Sequence, residues 1–164
     1  TPYMLAQLKM NYGQYMTSVS FLLIGKIIAL SFFEKYKKWD HARAFGIGLC
    51  LLCPSPFAWF WSEHFAVVLA VQMLGGAGWA LFEVGLALIF FQDLKSEEKI
   101  PFLTFYNFLN AAGLLIGSAM GALYLKGHLQ APQNYFVLFA VGGVSRIIFG
   151  YLLYAQTKHF VKRR

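Results

Sequence analysis

The sequence predicts an all-α membrane protein, a polytopic bundle of five transmembrane helices. Three observations carry this: an apolar composition, five long apolar stretches, and basic residues gathered between alternate stretches. Hydrophobic residues make up 59 % of the 164 residues and charged residues 13 %, against about 45–50 % and about 25 % in soluble domains. Mean hydropathy is +0.55. A soluble fold of this size needs more polar surface. The composition therefore excludes a soluble enzyme, a disordered chain and a nucleic-acid-binding module.

A helix crosses a bilayer with about 20 mostly apolar residues. The stretches that meet this are Tyr15–Phe33, Ala44–Trp61, Phe65–Phe91, Ile100–Leu125 and Tyr135–Thr157. The first carries a single charge, Lys26. The second carries none, and Pro54 and Pro56 should kink it or end its regular helix early. The third carries Glu83 and the dense run Gly75-Gly76-Ala77-Gly78, a tightly packed or moving stretch. The fourth is entered through Ser96-Glu97-Glu98-Lys99, with Pro101 expected in its first turn, where a missing N–H costs nothing. Its Gly113, Gly117 and Gly121 form a small-residue ladder of the kind that lets another helix approach. Gly46/Gly48 and Gly142/Gly143 are read the same way. The fifth carries Arg146 near its centre. Every connection is short, so the chain reads as one bundle over residues 1–164, ending in a basic tail, 158–164.

The net charge is +7, from 14 Lys and Arg against 7 Asp and Glu. Ten of the fourteen fall on one side: Lys35, Lys37, Lys38 and Arg43, then Lys95 and Lys99, then Lys158, Lys162, Arg163 and Arg164. Lys9 and Lys126 fall on the other. The excess of basic residues marks the cytoplasmic side, so the tail is expected in the cytoplasm and the first residues outside. Trp59, Trp61 and Tyr135 suit the outer interface and Trp39 the inner one.

The remaining charges lie within the spans, where a charge needs a partner or water. Glu83 and Lys26 lie about 12 and 10 Å from the same end at 1.5 Å per residue. Eleven residues of helix bring the chain back to within about 20°, so Gln72, Gly76, Trp79 and Glu83 share one face. A carboxylate, an amide and an indole there suit a polar cavity, with Glu83 holding a coupling proton or a cationic substrate group. The alternative is that Glu83 pairs structurally with Lys26 or Arg146. Lys26 reads either as a contact for an anionic substrate or as an ion-pair partner whose stem snorkels to the interface. Arg146 is expected to turn inward and hold helices together. Thr104, Asn107 and Ser118 share a face of the fourth span, with Asn110 on the other stripe. Asn107 could face a substrate path or bond another helix.

Several stretches resemble the C-terminal half of a major facilitator superfamily transporter of a bacterial subgroup. They are Thr1-Pro2-Tyr3-Met4-Leu5 with Leu8 and Tyr12, and Gly75-Gly76-Ala77-Gly78-Trp79-Ala80-Leu81-Phe82. Phe91-Gln92-Asp93-Leu94-Lys95-Ser96-Glu97-Glu98-Lys99 follows, then Tyr106-Asn107 and Gly113, Gly117 and Gly121. Order and spacing carry the resemblance. The loop Glu34–Arg43 keeps the family's basic charge without its Gly and its Asp-Arg order. The resemblance implies that the five spans are helices eight to twelve of a twelve-helix transporter, in a bacterial inner membrane, with the third and fourth spans lining a central cavity. It implies a small-molecule solute and protons as partners, and alternating access between two bundles. The first residues read as the end of a helix, with no Met or signal peptide, so a missing N-terminal half or an oligomeric partner is expected.

The site residues expected to touch substrate or coupling ion are Glu83, Gln72, Trp79, Asn107 and Lys26. No cofactor, metal or covalent chemistry is expected. Cys50 and Cys53 stand in mid-span without a second pair, and the four His show no ligand spacing. The rival reading is a non-transport membrane scaffold or assembly protein.

Overall fold

A computed structural model describes residues 2–35, 41–61, 64–126 and 132–162. Its elements are α1 (Pro2–Ala6), α2 (Tyr12–Lys35), α3 (His41–Leu52), α4 (Ser55–Ala58) running into a 3-10 turn at Trp59–Trp61, α5 (Phe65–Asp93), α6 (Ser96–Leu125) and α7 (Pro132–Lys162). Five stretches are long and apolar enough to cross a membrane: Tyr12–Lys35, His41–Trp61, Phe65–Phe91, Ser96–Leu125 and Gln133–Ala155. The protein is an all-α, polytopic membrane bundle. The readings made above for Lys37, Lys38, Trp39, Arg163 and Arg164 lie outside the described residues, as do the side chains of Lys158 and Lys162.

Local signals set the helix ends. Asn11 and Gln14 cap α2 reciprocally: the Gln14 N–H donates to Asn11 Oδ1 at 2.8 Å, and the Asn11 N–H to Gln14 Oε1 at 3.0 Å. Two of the first turn's orphan donors are thereby satisfied. At the start of α6 the Lys95 N–H donates to Glu98 Oε2 at 3.1 Å. Helix α6 begins at Ser96, so Pro101 lies inside it and not in its first turn. Its ring removes the N–H that Glu97 O would accept, at the exposed end where water can replace it. In the second span the prolines act as expected: α3 stops at Leu52, and the chain continues through short α4 and the 3-10 turn.

Helix α5 is the centre of the bundle, between α2 and α3. The approach to α2 is backbone to backbone. A Cβ on Gly25 would collide with the Met73 carbonyl oxygen, and one on Gly76 with that of Leu22. Ala29 packs on Ala80 and Leu81 a turn further along. Residue numbers rise together along this contact, so α2 and α5 run parallel. Against α3 the order reverses. Gly48 meets Phe82 and Gly78, Gly85 meets Phe45, and the Phe45 and Phe82 rings stack at 5.3 Å. Such small-residue seams are how helices associate in lipid, where burial of apolar surface supplies no drive between them.

Helix α7 packs on the broken second span, with Phe57 against Gly143 and Cys53 against Gly150. At the end away from the basic loops, Tyr3, Leu125 and Tyr135 form a buried cluster with Trp59 and Phe139 beside them. The Tyr3 ring meets Phe139 edge-on at 5.1 Å.

The ladder on α6 does not pack as expected. Gly113, Gly117 and Gly121 have nothing within 4 Å of where a Cβ would stand. Leu125 is the buried residue of α6, because the helix touches its neighbours near its two ends and stands clear between them.

Candidate functional site

Two chain features aim polar groups at one place. Glu83 projects from the seam side of α5, and Tyr106, Asn107 and Asn110 from α6. Helices α5 and α6 are joined by a tight turn, so they converge near it. There the rings of Phe90 and Phe102 meet at 4.9 Å. Further from the turn the two helices bound a cleft of about 240 Å³, walled by Glu83, Tyr106, Asn107 and Asn110 with Phe90 and Phe102. Leu86, Ala87, Phe91 and Leu103 complete its apolar lining.

Lys26 reaches Glu83 from behind, on α2. Its Nζ lies 3.5 Å from Glu83 Oε2, beyond the roughly 2.7–2.9 Å of a tight charge-assisted bond. The two side chains are 32 % and 51 % exposed. Glu83 is thus charge-neutralised and still open to the cleft. Lys26 takes the ion-pair role, one of its two expected roles.

Among the described residues, the carboxamides of Asn107 and Asn110 have no hydrogen-bond partner. Both are exposed, about halfway along the 30-residue α6. An unsatisfied amide facing hydrocarbon costs several kcal/mol, so these groups call for water, a polar ligand or a further helix against α6. Thr104 and Ser118 make no such demand. Their hydroxyls donate to Ile100 O at 3.0 Å and Leu115 O at 2.9 Å.

The fold separates the sequence-derived candidates. Glu83 and Asn107 share the cleft, and Lys26 joins it through the ion pair. Gln72 and Trp79 are not among its walls. The stripe from Gln72 to Glu83 was expected to line a cavity, but its middle turns onto α2, where Gly76 meets Leu22. Trp79 instead packs edge-on to Phe82 at 5.9 Å. Tyr106 and Asn110 were not placed at the site from sequence. The usable signal was the three-residue step from Asn107 to Asn110, which puts neighbours on one helix face.

Arg146 turns inward, as its depth requires. Pro56 has no N–H, so the Leu52 carbonyl loses its helical donor. Ser55 Oγ donates to that oxygen at 2.8 Å. Arg146 Nη1 donates to it at 3.5 Å and to Ser55 Oγ at 3.0 Å. The guanidinium thereby closes the break in the second span. Cys53 Sγ returns a bond to Arg146 O at 3.5 Å.

Compared with known proteins, the chain matches no family model, no curated protein and no solved structure. The site and the fold class therefore carry the functional argument: a polytopic helical membrane protein with a largely apolar cleft that holds a carboxylate and two carboxamides.

Proposed function

We propose that this chain belongs to a secondary membrane transporter of major facilitator type, moving a small solute by alternating access and coupled to protons through Glu83. The observation that carries the reading is the cleft itself. A half-exposed carboxylate and two unpartnered carboxamides face one space within the membrane-spanning region. Such groups are costly in lipid, and a transport path supplies the water and ligand that satisfy them. A purely structural Glu83 would be enclosed with its partner. Here Lys26 holds one edge and the other faces the cleft. The order of motifs along the chain supports the family, and the basic loops support a cytoplasmic C-terminus in a bacterial inner membrane.

Alternating access requires a second bundle opposite the first. The bare middle of α6 is where it would stand, supplied by another part of the same protein or by another copy. The scaffold reading draws on the same bare face, with an assembly partner in place of a second transport bundle.

Proteoliposomes with an imposed pH gradient test the reading. Solute uptake screened across cationic, neutral and anionic classes should rise with the gradient, and Glu83→Gln should remove the gradient dependence. Gradient-driven uptake that survives Glu83→Gln overturns the coupling role. A complete lack of uptake across all classes favours the scaffold.

A further inference from the structure

The geometry points to an organic ammonium with a flat apolar body as the ligand of the Glu83 cleft, and to Lys26 as a built-in competitor that this ammonium displaces. The inference deepens the transport reading and rests on it.

Charge sets the class of ligand. Glu83 is the charged residue among the cleft walls, and no Lys or Arg lines it. An anion entering would meet a carboxylate and no cation. Lys26 neutralises Glu83 from the α2 side through a single 3.5 Å contact to Oε2. Oε1 has no hydrogen-bond partner among the described residues and lies on a side chain that is half exposed. A ligand ammonium can therefore take the cleft side of the carboxylate.

Shape sets the rest. Phe90, Phe102 and Tyr106 give the cleft aromatic faces. Such faces suit a flat apolar body and attract a cation placed over them. The free carboxamides of Asn107 and Asn110 supply acceptors for the remaining ammonium hydrogens and orient the ligand. When the ligand pairs with Glu83, Lys26 is released. Its long stem can carry the charge toward the basic end of α2, about 14 Å away. Empty and loaded sites then each hold one paired carboxylate, and the coupling proton competes with both cations for that same carboxylate.

The exchange makes opposite predictions for the two ends of the ion pair. The full chain in lipid nanodiscs is titrated with benzylammonium, benzyl alcohol and benzoate, three probes sharing one body. Benzylammonium should bind most tightly and benzoate least. Glu83→Gln should weaken benzylammonium roughly tenfold or more, the scale of one bond to a charged group. Lys26→Met should tighten it, because the competitor is gone. Phe102→Leu should weaken benzylammonium more than methylammonium, a check that leaves the ion pair untouched. A preference for benzoate, equal weakening by Glu83→Gln and Lys26→Met, or no binding of any probe overturns the inference. Counterflow of bound benzylammonium in proteoliposomes separates the two levels. Binding without counterflow leaves the ligand class standing and removes the transport reading.

Discussion

Single residues here are explained by what they would leave behind. Arg146 sits at membrane depth because Pro56 strips the Leu52 carbonyl of its helical donor. Truncating Arg146 to Met should destabilise the bundle by about 1 kcal/mol, the scale of interhelical bonds in membranes. The cost should shrink in a Pro56→Ala background, where an N–H can return to Leu52 O. A double-mutant cycle read by unfolding in mixed micelles checks this. Glu83 and Lys26 were legible as a possible pair because equal depth can be counted along two apolar stretches. Which role each played was not legible, since a paired carboxylate and a ligand-binding one have the same sequence. Asn110 is missing from the sequence-derived site for a different reason. Angular bookkeeping on one helix does not say which stripe a neighbour covers.

At the scale of elements, the small residues separate into two kinds that look alike in the sequence. Gly76 is pressed against the Leu22 carbonyl, whereas Gly117 meets nothing. Gly76→Ala should therefore destabilise the chain by about 1–3 kcal/mol, the range for overpacking. Gly117→Ala should stay within about 0.5 kcal/mol, as at exposed positions. Thermal unfolding in nanodiscs compares the two. The regular four-residue ladder on α6 gave the clearer packing signal, yet the irregular glycines of α2, α3 and α5 do the packing. Small-residue spacing states that a helix can be approached. Whether anything approaches depends on the rest of the bundle. The prolines were more readable, because a missing N–H acts locally. Pro54 and Pro56 ended α3 as expected, while Pro101 sits deeper because Lys95 and Glu98 start α6 earlier.

For the whole molecule, parallel α2 and α5 with antiparallel α3 between them in sequence define an alternating up-and-down path. Lys35 and Lys99 then lie at one end and Lys9 and Lys126 at the other. Single cysteines at these four positions, in a Cys50→Ser/Cys53→Ser background, should react with a membrane-impermeant thiol reagent in two pairs from opposite faces of a sealed vesicle. Fold class and span number were legible because the bilayer imposes length and apolarity directly. The cleft was only half legible. It arises from two helices that diverge beyond a tight turn, and divergence leaves no mark on composition or period.

The ion pair also bears on how the chain is made. Its partners are 57 residues apart. During synthesis at about 5–20 residues per second, Lys26 emerges roughly 3–11 s before Glu83. For that interval α2 holds an uncompensated cation at membrane depth. Until α5 arrives with Glu83, snorkelling of the Lys26 stem toward the interface is what lowers the cost of that charge. The pair that joins α2 to α5 in the finished protein is thus complete only once both helices are made.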